Sequence, residues 1–165
     1  MSHMPKKITP NPQIAEWARK GQPRTVTVID ATGASAGRLA SHVAKRLLAG
    51  EEVHLVNAEK ATVSGTLEAV MERMEFKRDV GTRRKGPFYP RVPHLMLKRT
   101  VRGMLNYQEL PSHRAAYKRL KAHIGVPDEL ANQTPIVIEK ARSTAPRSVT
   151  FGEIATRLGA KFGQE

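Results

Sequence analysis

The stretch VTVIDATGASAGRLASHVAKRLLAGEEVHLVN, residues 26–57, decides the architecture. It opens with a β-branched run, Val26–Asp30, of strand type. Beyond the small-residue turn Thr32-Gly-Ala-Ser-Ala-Gly37, apolar side chains recur at Ala36, Leu39, Ala40, Val43 and Leu47. That i, i+3, i+4 spacing predicts a helix with one buried stripe, and Gly50 supplies the residue that ends it. Val53–Asn57 reads as a second strand. Strand, helix and strand within about thirty residues form a βαβ unit, whose two strands run parallel through a right-handed crossover.

Outward from that unit, 165 residues with 39% hydrophobic content are enough for one domain with a core. The domain is expected to span residues 25–165, behind an N-terminal extension over residues 1–24. Within the extension, Asn11 as cap, Pro12 at the first helical position and Gly21 at the end predict a short helix over Pro12–Lys20, docked through Trp17. Further helices are expected over Thr66–Phe76, after Pro93 with Leu97, Val101 and Met104 inward, and over Ser112–Leu120. Ala122–Ile124 reads as a third strand. Ala131–Arg147 carries mixed signals, and a final helix starts at Thr150 or Gly152, runs to Leu158 and closes at Gly159. Three prolines and two glycines make Gly81–Pro93 a loop or extended arm.

Charge sets the function classes. The chain carries 28 Lys and Arg against 15 Asp and Glu, a net of +13. Half of the cations lie between Arg73 and Lys121, where 14 face only Glu75, Asp79 and Glu109. A net of +11 in 49 residues implies a polyanionic partner, because a compact domain bearing it repels itself. There are no cysteines, so disulfides, thiol catalysis and cysteine-type metal sites are excluded. The histidines at 3, 42, 54, 94, 113 and 123 show no metal-ligand spacing. A segment this poor in aromatics and broken by prolines does not make a membrane anchor. No apolar run approaches the length of a bilayer span, and the start lacks a signal-peptide pattern, so a soluble, intracellular protein is expected.

Two motifs point to enzymes. Gly33-Ala-Ser-Ala-Gly37 matches the G-x-S-x-G nucleophile elbow around Ser35, although the chain is too short for the usual hydrolase sheet. The same turn resembles the T-G-x-x-x-G-x-G fingerprint of short-chain dehydrogenases, and Tyr117 with Lys121 supplies a Y-x-x-x-K pair. A small NADP-dependent reductase is therefore the alternative function. Against it, Leu39 replaces the last glycine, and Asn57-Ala58 offers no ribose-binding acid after the second strand. A tight turn with close helix–strand packing also explains the small residues.

The basic segment explains more. Arg83, Arg84 and Lys85 form a triplet in the Gly/Pro-bounded arm, followed by Phe88, Tyr89 and Arg91. Prolines stiffen such an arm, and flat rings can take an unpaired base or ribose. On the next helix Lys98 and Arg102, four residues apart, share an outer ridge flanked by Arg99. Arg114, Lys118, Arg119 and Lys121 add cations around the helix after that. Phosphate contact along a groove is the expected use. Without a helix-turn-helix or zinc-finger pattern, structured RNA is favoured over DNA.

Those residues carry a family resemblance. Pro87-Phe-Tyr-Pro-Arg-Val-Pro93, Leu97-Lys-Arg-Thr-Val-Arg-Gly-Met-Leu105 and Arg119-Leu-Lys-Ala-His-Ile-Gly-Val-Pro127 resemble the archaeal and eukaryotic branch of the ribosomal protein L thirteen family. Val28–Gly33, Gly37–Ala40 and Val56–Ala58 fit it in the same order. The resemblance implies a three-layer α/β/α fold with a four-stranded parallel sheet. It also implies binding to large-subunit rRNA early in assembly, with neighbouring ribosomal proteins as further partners. No catalysis, cofactor, metal or small-molecule substrate is expected. Matched by position, Arg91, Lys98, Arg99, Arg102 and Gly103 are the foremost candidates for RNA contact or close approach. Two positions depart from the family pattern. Asn106-Tyr107 stands where proline usually follows M-L, and His113 stands where glycine commonly precedes the arginine matched by Arg114.

Overall fold

The computed structural model describes residues 25–82 and 84–162. The predicted helix Pro12–Lys20, with Trp17, and Arg83 of the arm lie outside the described residues.

The decisive βαβ unit forms as its pattern predicts. Strand β1 covers Val26–Asp30, helix α1 covers Ala36–Ala49 and strand β2 covers Glu52–Val56. The stripe of α1 is buried from Ala36 to Leu47, and Gly50 closes the helix at φ 105° with its N–H bonded to the last turn. A left-handed residue there costs little only for glycine. The two strands pair in parallel, Ile29 opposite Leu55.

The chain then makes the short strand β3 (Thr62–Ser64) and helices α2 (Leu67–Asp79), α3 (Pro93–Met104) and α4 (Pro111–Lys118). Strand β4 (Leu120–Ala122) follows, then β5 (Ile136–Val137), β6 (Ser148–Thr150) and α5 (Phe151–Arg157). Strands β4-β2-β1-β5 make one four-stranded sheet in that order, with every neighbouring pair parallel. Strands β3 and β6 form a separate antiparallel ladder. Thr150 caps α5 in a reciprocal box with Glu153, so the final helix begins at Phe151.

One face of the sheet, through Ile29, Val53, Leu55 and Leu120, joins a core with α1, Met96, Leu97 and Val101 of α3, and Phe151 and Ile154 of α5. The connection from β4 to β5 passes the opposite face through a 3-10 turn at Asp128–Leu130, where Leu130 packs with Val28 and Val56. Leu130 thus covers Val28 and Val56 on that face, while Val26 beside them stays 44% exposed.

Three sequence expectations shift. The third strand is Leu120–Ala122, two residues before the predicted Ala122–Ile124, because α4 stops at Lys118 and Leu120 pairs opposite Val53. Met104 is 49% exposed. Leu105, one residue on, takes the inner position beyond Leu97 and Val101, continuing their four-residue spacing. Of the turn's small residues, expected to pack closely, Ala34 and Ala36 do so, but Gly37 faces open space, with no atom within 4 Å of where a Cβ would stand.

Candidate nucleic-acid interface

The basic segment folds into an arm and two helices that share one surface. Helix α3 is anchored by Pro93, Met96, Leu97 and Val101, which leaves the Lys98–Arg102 and Arg99–Gly103 rows facing outward or sideways. Lys98 and Arg102 do share a ridge, but both are half-buried on aromatic rings. The Lys98 ammonium lies 5.3 Å from the Tyr117 ring centre, and the Arg102 guanidinium lies 4.8 Å from that of Tyr107. The two tyrosines meet edge to face at 5.4 Å. Such cation–π contacts fix long side chains that would otherwise swing freely. Burial lowers the pKa of Lys98. Burial raises that of Tyr117, against the opposing pull of Arg102 and Arg99.

The arm is closed at its base by Thr82 and Gly86, whose backbones bond reciprocally at 3.3 and 2.9 Å. Gly81 allows this closure, since its φ is 107° and a Cβ there would stand 2.5 Å from the Gly86 carbonyl oxygen. Arg84 and Lys85 are exposed at the turn, and the Lys85 N–H donates to the Thr82 hydroxyl. Phe88 is 71% exposed. Tyr89 differs: it packs against the core, carries the Lys77 ammonium 5.5 Å from its ring centre, and has its pKa raised by burial. Arg91 is exposed beyond it.

Three clefts run together across this surface. One lies between the end of α2 and the arm and reaches Arg99 and Gly103. A second shares Arg99 and Gly103 and continues past Arg102 to the loop at Asn106–Glu109. A third shares Val80, Pro87 and Phe88 with the first and reaches Arg78 and Arg91. The two acids among their lining residues are already engaged. Asp79 accepts from Arg78 at 2.7 and 3.0 Å, a bond that holds its carboxyl low. Glu109 accepts from the Asn106 amide at 2.7 Å. The result is a continuous groove with uncompensated cations, which suits a chain of phosphates. No side chain at Gly103 narrows it.

Other expected site residues fall elsewhere. Arg114 and Lys118 are exposed on α4, with Arg114 donating to the Gln108 carbonyl at 3.3 Å. Arg119 is turned inward: its guanidinium donates at 2.6 Å to the Leu47 carbonyl in the last turn of α1. Lys121 lies in β4, its ammonium 3.1 Å from the Glu52 carboxylate. Phe76 and Lys77, at the end of α2, line the first cleft and escaped sequence reading. A phenylalanine in the last turn of a helix with a weak apolar stripe was the available signal.

The departures from the family pattern fit together. The Asn106 N–H donates to His113 Nδ1 at 3.1 Å. Proline at 106 has no N–H and glycine at 113 has no ring, so each departure supplies half of one bond.

The enzyme motifs come apart. At the glycine turn the chain's own backbone takes the place of a pyrophosphate. Gly33 N–H donates to Lys60, and Ser35 N–H donates to Ala141 at 2.7 Å. Gly33 and Ala34 carbonyls accept from Ser143 and Thr62. Tyr117 and Lys121 do not share a helix, because α4 ends at Lys118 and Lys121 is held by Glu52. Among the described residues no group of histidine and carboxylate side chains could hold a metal ion, and no helix is long and apolar enough to cross a membrane.

Comparison with known proteins agrees with the resemblance seen in the sequence. The family model for ribosomal protein L13 matches residues 24–129. The large ribosomal subunit protein uL13 of Methanococcoides burtonii is 46% identical over 140 residues, covering 83% of this chain and all of that protein. Its counterpart in Archaeoglobus fulgidus is 46% identical over 137 residues, 81% of this chain and 87% of the relative. That of Methanocaldococcus jannaschii is 43% identical over 141 residues, 83% of this chain and all of the relative. The chain belongs to the ribosomal protein L13 family, whose members are structural and not enzymatic.

Proposed function

We propose that the protein is a structural constituent of the large ribosomal subunit, working on cytoplasmic ribosomes. It binds large-subunit rRNA in the groove between arm and helix α3, supports assembly of the subunit, and adjoins other ribosomal proteins there. The observation that carries this is the run of three linked clefts whose cations, Arg91, Arg99 and Arg102 foremost, face no free acid among the lining residues. Arg84, Lys85, Lys98, Arg114 and Lys118 extend the positive field around it. Arg119 and Lys121 serve the fold. Recognition is by phosphate position and shape, since an A-form duplex hides its major-groove edges.

The test is binding to an archaeal large-subunit rRNA transcript across a salt series, with Arg91→Gln, Arg99→Gln and Arg102→Gln combined. Glutamine removes the charge and keeps part of each stem, and the variant's melting temperature checks what loss of the Arg102–Tyr107 contact costs the fold. Each lost phosphate contact lowers the slope of log affinity against log salt by about 0.7–0.9. The triple variant is expected to lose about two units, and added NADPH is expected to change nothing. A slope equal to wild type would overturn the assignment.

A further inference from the structure

We propose that the cleft between the last turn of α2 and the arm is a pocket for a single unpaired RNA base, with Phe88 as its stacking platform. The cleft has a volume of about 480 Å³, in the range of sites that hold small ligands. Its apolar walls come from Phe76, Val80 and Phe88, and its cations from Lys77 and Arg99. Phe76 and Phe88 are each 71% exposed. Two phenylalanines thus stand open to solvent on one cleft.

The arm holds Phe88 ready. A Cβ at Gly86 would stand 3.1 Å from the Phe88 ring, so the ring rests close against bare backbone on one side. Tyr89 is unsuited to the same task, because its ring is packed on the core and covered by Lys77. No acid lines the cleft. Its neighbours on both sides are the cationic clefts at Arg91 and Arg102, so a strand following the groove passes over the pocket. An apolar side chain of a protein partner would find the same walls. Such a partner would engage Lys77 and Arg99 only if an acid stood beside that side chain, whereas every nucleotide carries a phosphate for them. An aromatic floor below a cationic rim is the arrangement that single-stranded nucleic acid uses.

The pocket rests on the rRNA-binding groove proposed above, and the test separates the two. Wild type and the variants Phe88→Ala, Phe88→Leu, Phe88→Trp and Phe76→Ala are titrated with the same rRNA transcript across the same salt series. Each variant's melting temperature checks the fold, which exposed positions should preserve. Phe88→Ala is expected to bind about 5- to 150-fold more weakly, from the usual contribution of one stacked base. Its salt slope should equal that of wild type, since no phosphate contact is lost. Phe88→Trp should restore binding and Phe88→Leu should not, because leucine keeps apolar area but offers no flat face. Phe76→Ala should weaken binding several-fold in the same slope-independent way. If Phe88→Leu or Phe88→Ala binds as tightly as wild type while wild type shows a steep slope, the base pocket is overturned and the groove stands. If wild type shows no salt-dependent binding, the groove fails and takes the pocket with it.

Discussion

Replacing Arg119 with methionine isolates a cation that charge counting alone assigns to RNA. The guanidinium donates to the Leu47 carbonyl at 2.6 Å, in the last turn of α1, where positive charge also complements the helix dipole. A second nitrogen donates to the Ala115 carbonyl at 3.4 Å. Methionine retains much of the stem and removes these donors. Loss of a hydrogen bond from a charged group costs about 1.5–3 kcal/mol. For a chain of this size that lowers the melting temperature by about 3–12 °C. The assay is thermal unfolding by circular dichroism, paired with rRNA binding at temperatures where the variant stays folded. Stability should fall while the salt slope stays at the wild-type value. A variant that melts like wild type yet loses about one unit of slope would refute the assignment of Arg119 to the fold.

Two further predictions concern stability. His113→Ala should cost about 0.5–1.5 kcal/mol, or about 1–6 °C in melting temperature, by removing the acceptor for the Asn106 N–H. Asn106→Pro removes the donor, so in the double variant the shared bond is lost only once; strictly additive losses would show that the two positions act separately. The second prediction is a pH dependence. His94 and His123 have pKa values lowered by burial, with the positive field of Lys98 at His94 and of His54 at His123 adding to the effect. In the unfolded chain each titrates near about 6.5, so below that pH the unfolded state binds more protons and stability falls. Melting temperature should hold between about pH 8 and 7 and drop as pH falls from about 6.5 toward 5, with His123→Asn flattening the drop. The lowered carboxylates Asp30 and Glu52 withdraw their support only further down, as pH falls below about 4 through their folded-state values. A flat profile between pH 7 and 5 would contradict the cost of charging these partly buried imidazoles.

How much of this could be seen in the chain depends on the range of the interactions involved. The α1 stripe and its Gly50 stop are local and periodic, and they stand where the spacing places them. Strand β4 shifted because its alternation, Leu120 and Ala122 inward with Lys121 outward, is only three residues long and could pass for the end of a helix. Strands β3, β5 and β6 are too short to carry a period, and their pairing is decided by distant partners. At the site, charge density located the surface but could not sort its members. Arg102 and Arg119 look alike in the sequence, yet one lies over Tyr107 and the other reaches the Leu47 carbonyl. Phe76 carried only a weak signal as a site residue, because its place in a cleft depends on where the arm returns past α2.

The central claim is that RNA lies along the arm and helix α3, and mapping ultraviolet cross-links between the protein and an archaeal large-subunit rRNA transcript tests it most directly. Cross-linked peptides should centre on Arg84–Arg91 and Lys98–Gly103, with Phe76 and Lys77 at the margin. Cross-links concentrated instead at the Thr32–Arg38 turn, or on the opposite sheet face around Glu52 and Lys121, would contradict it.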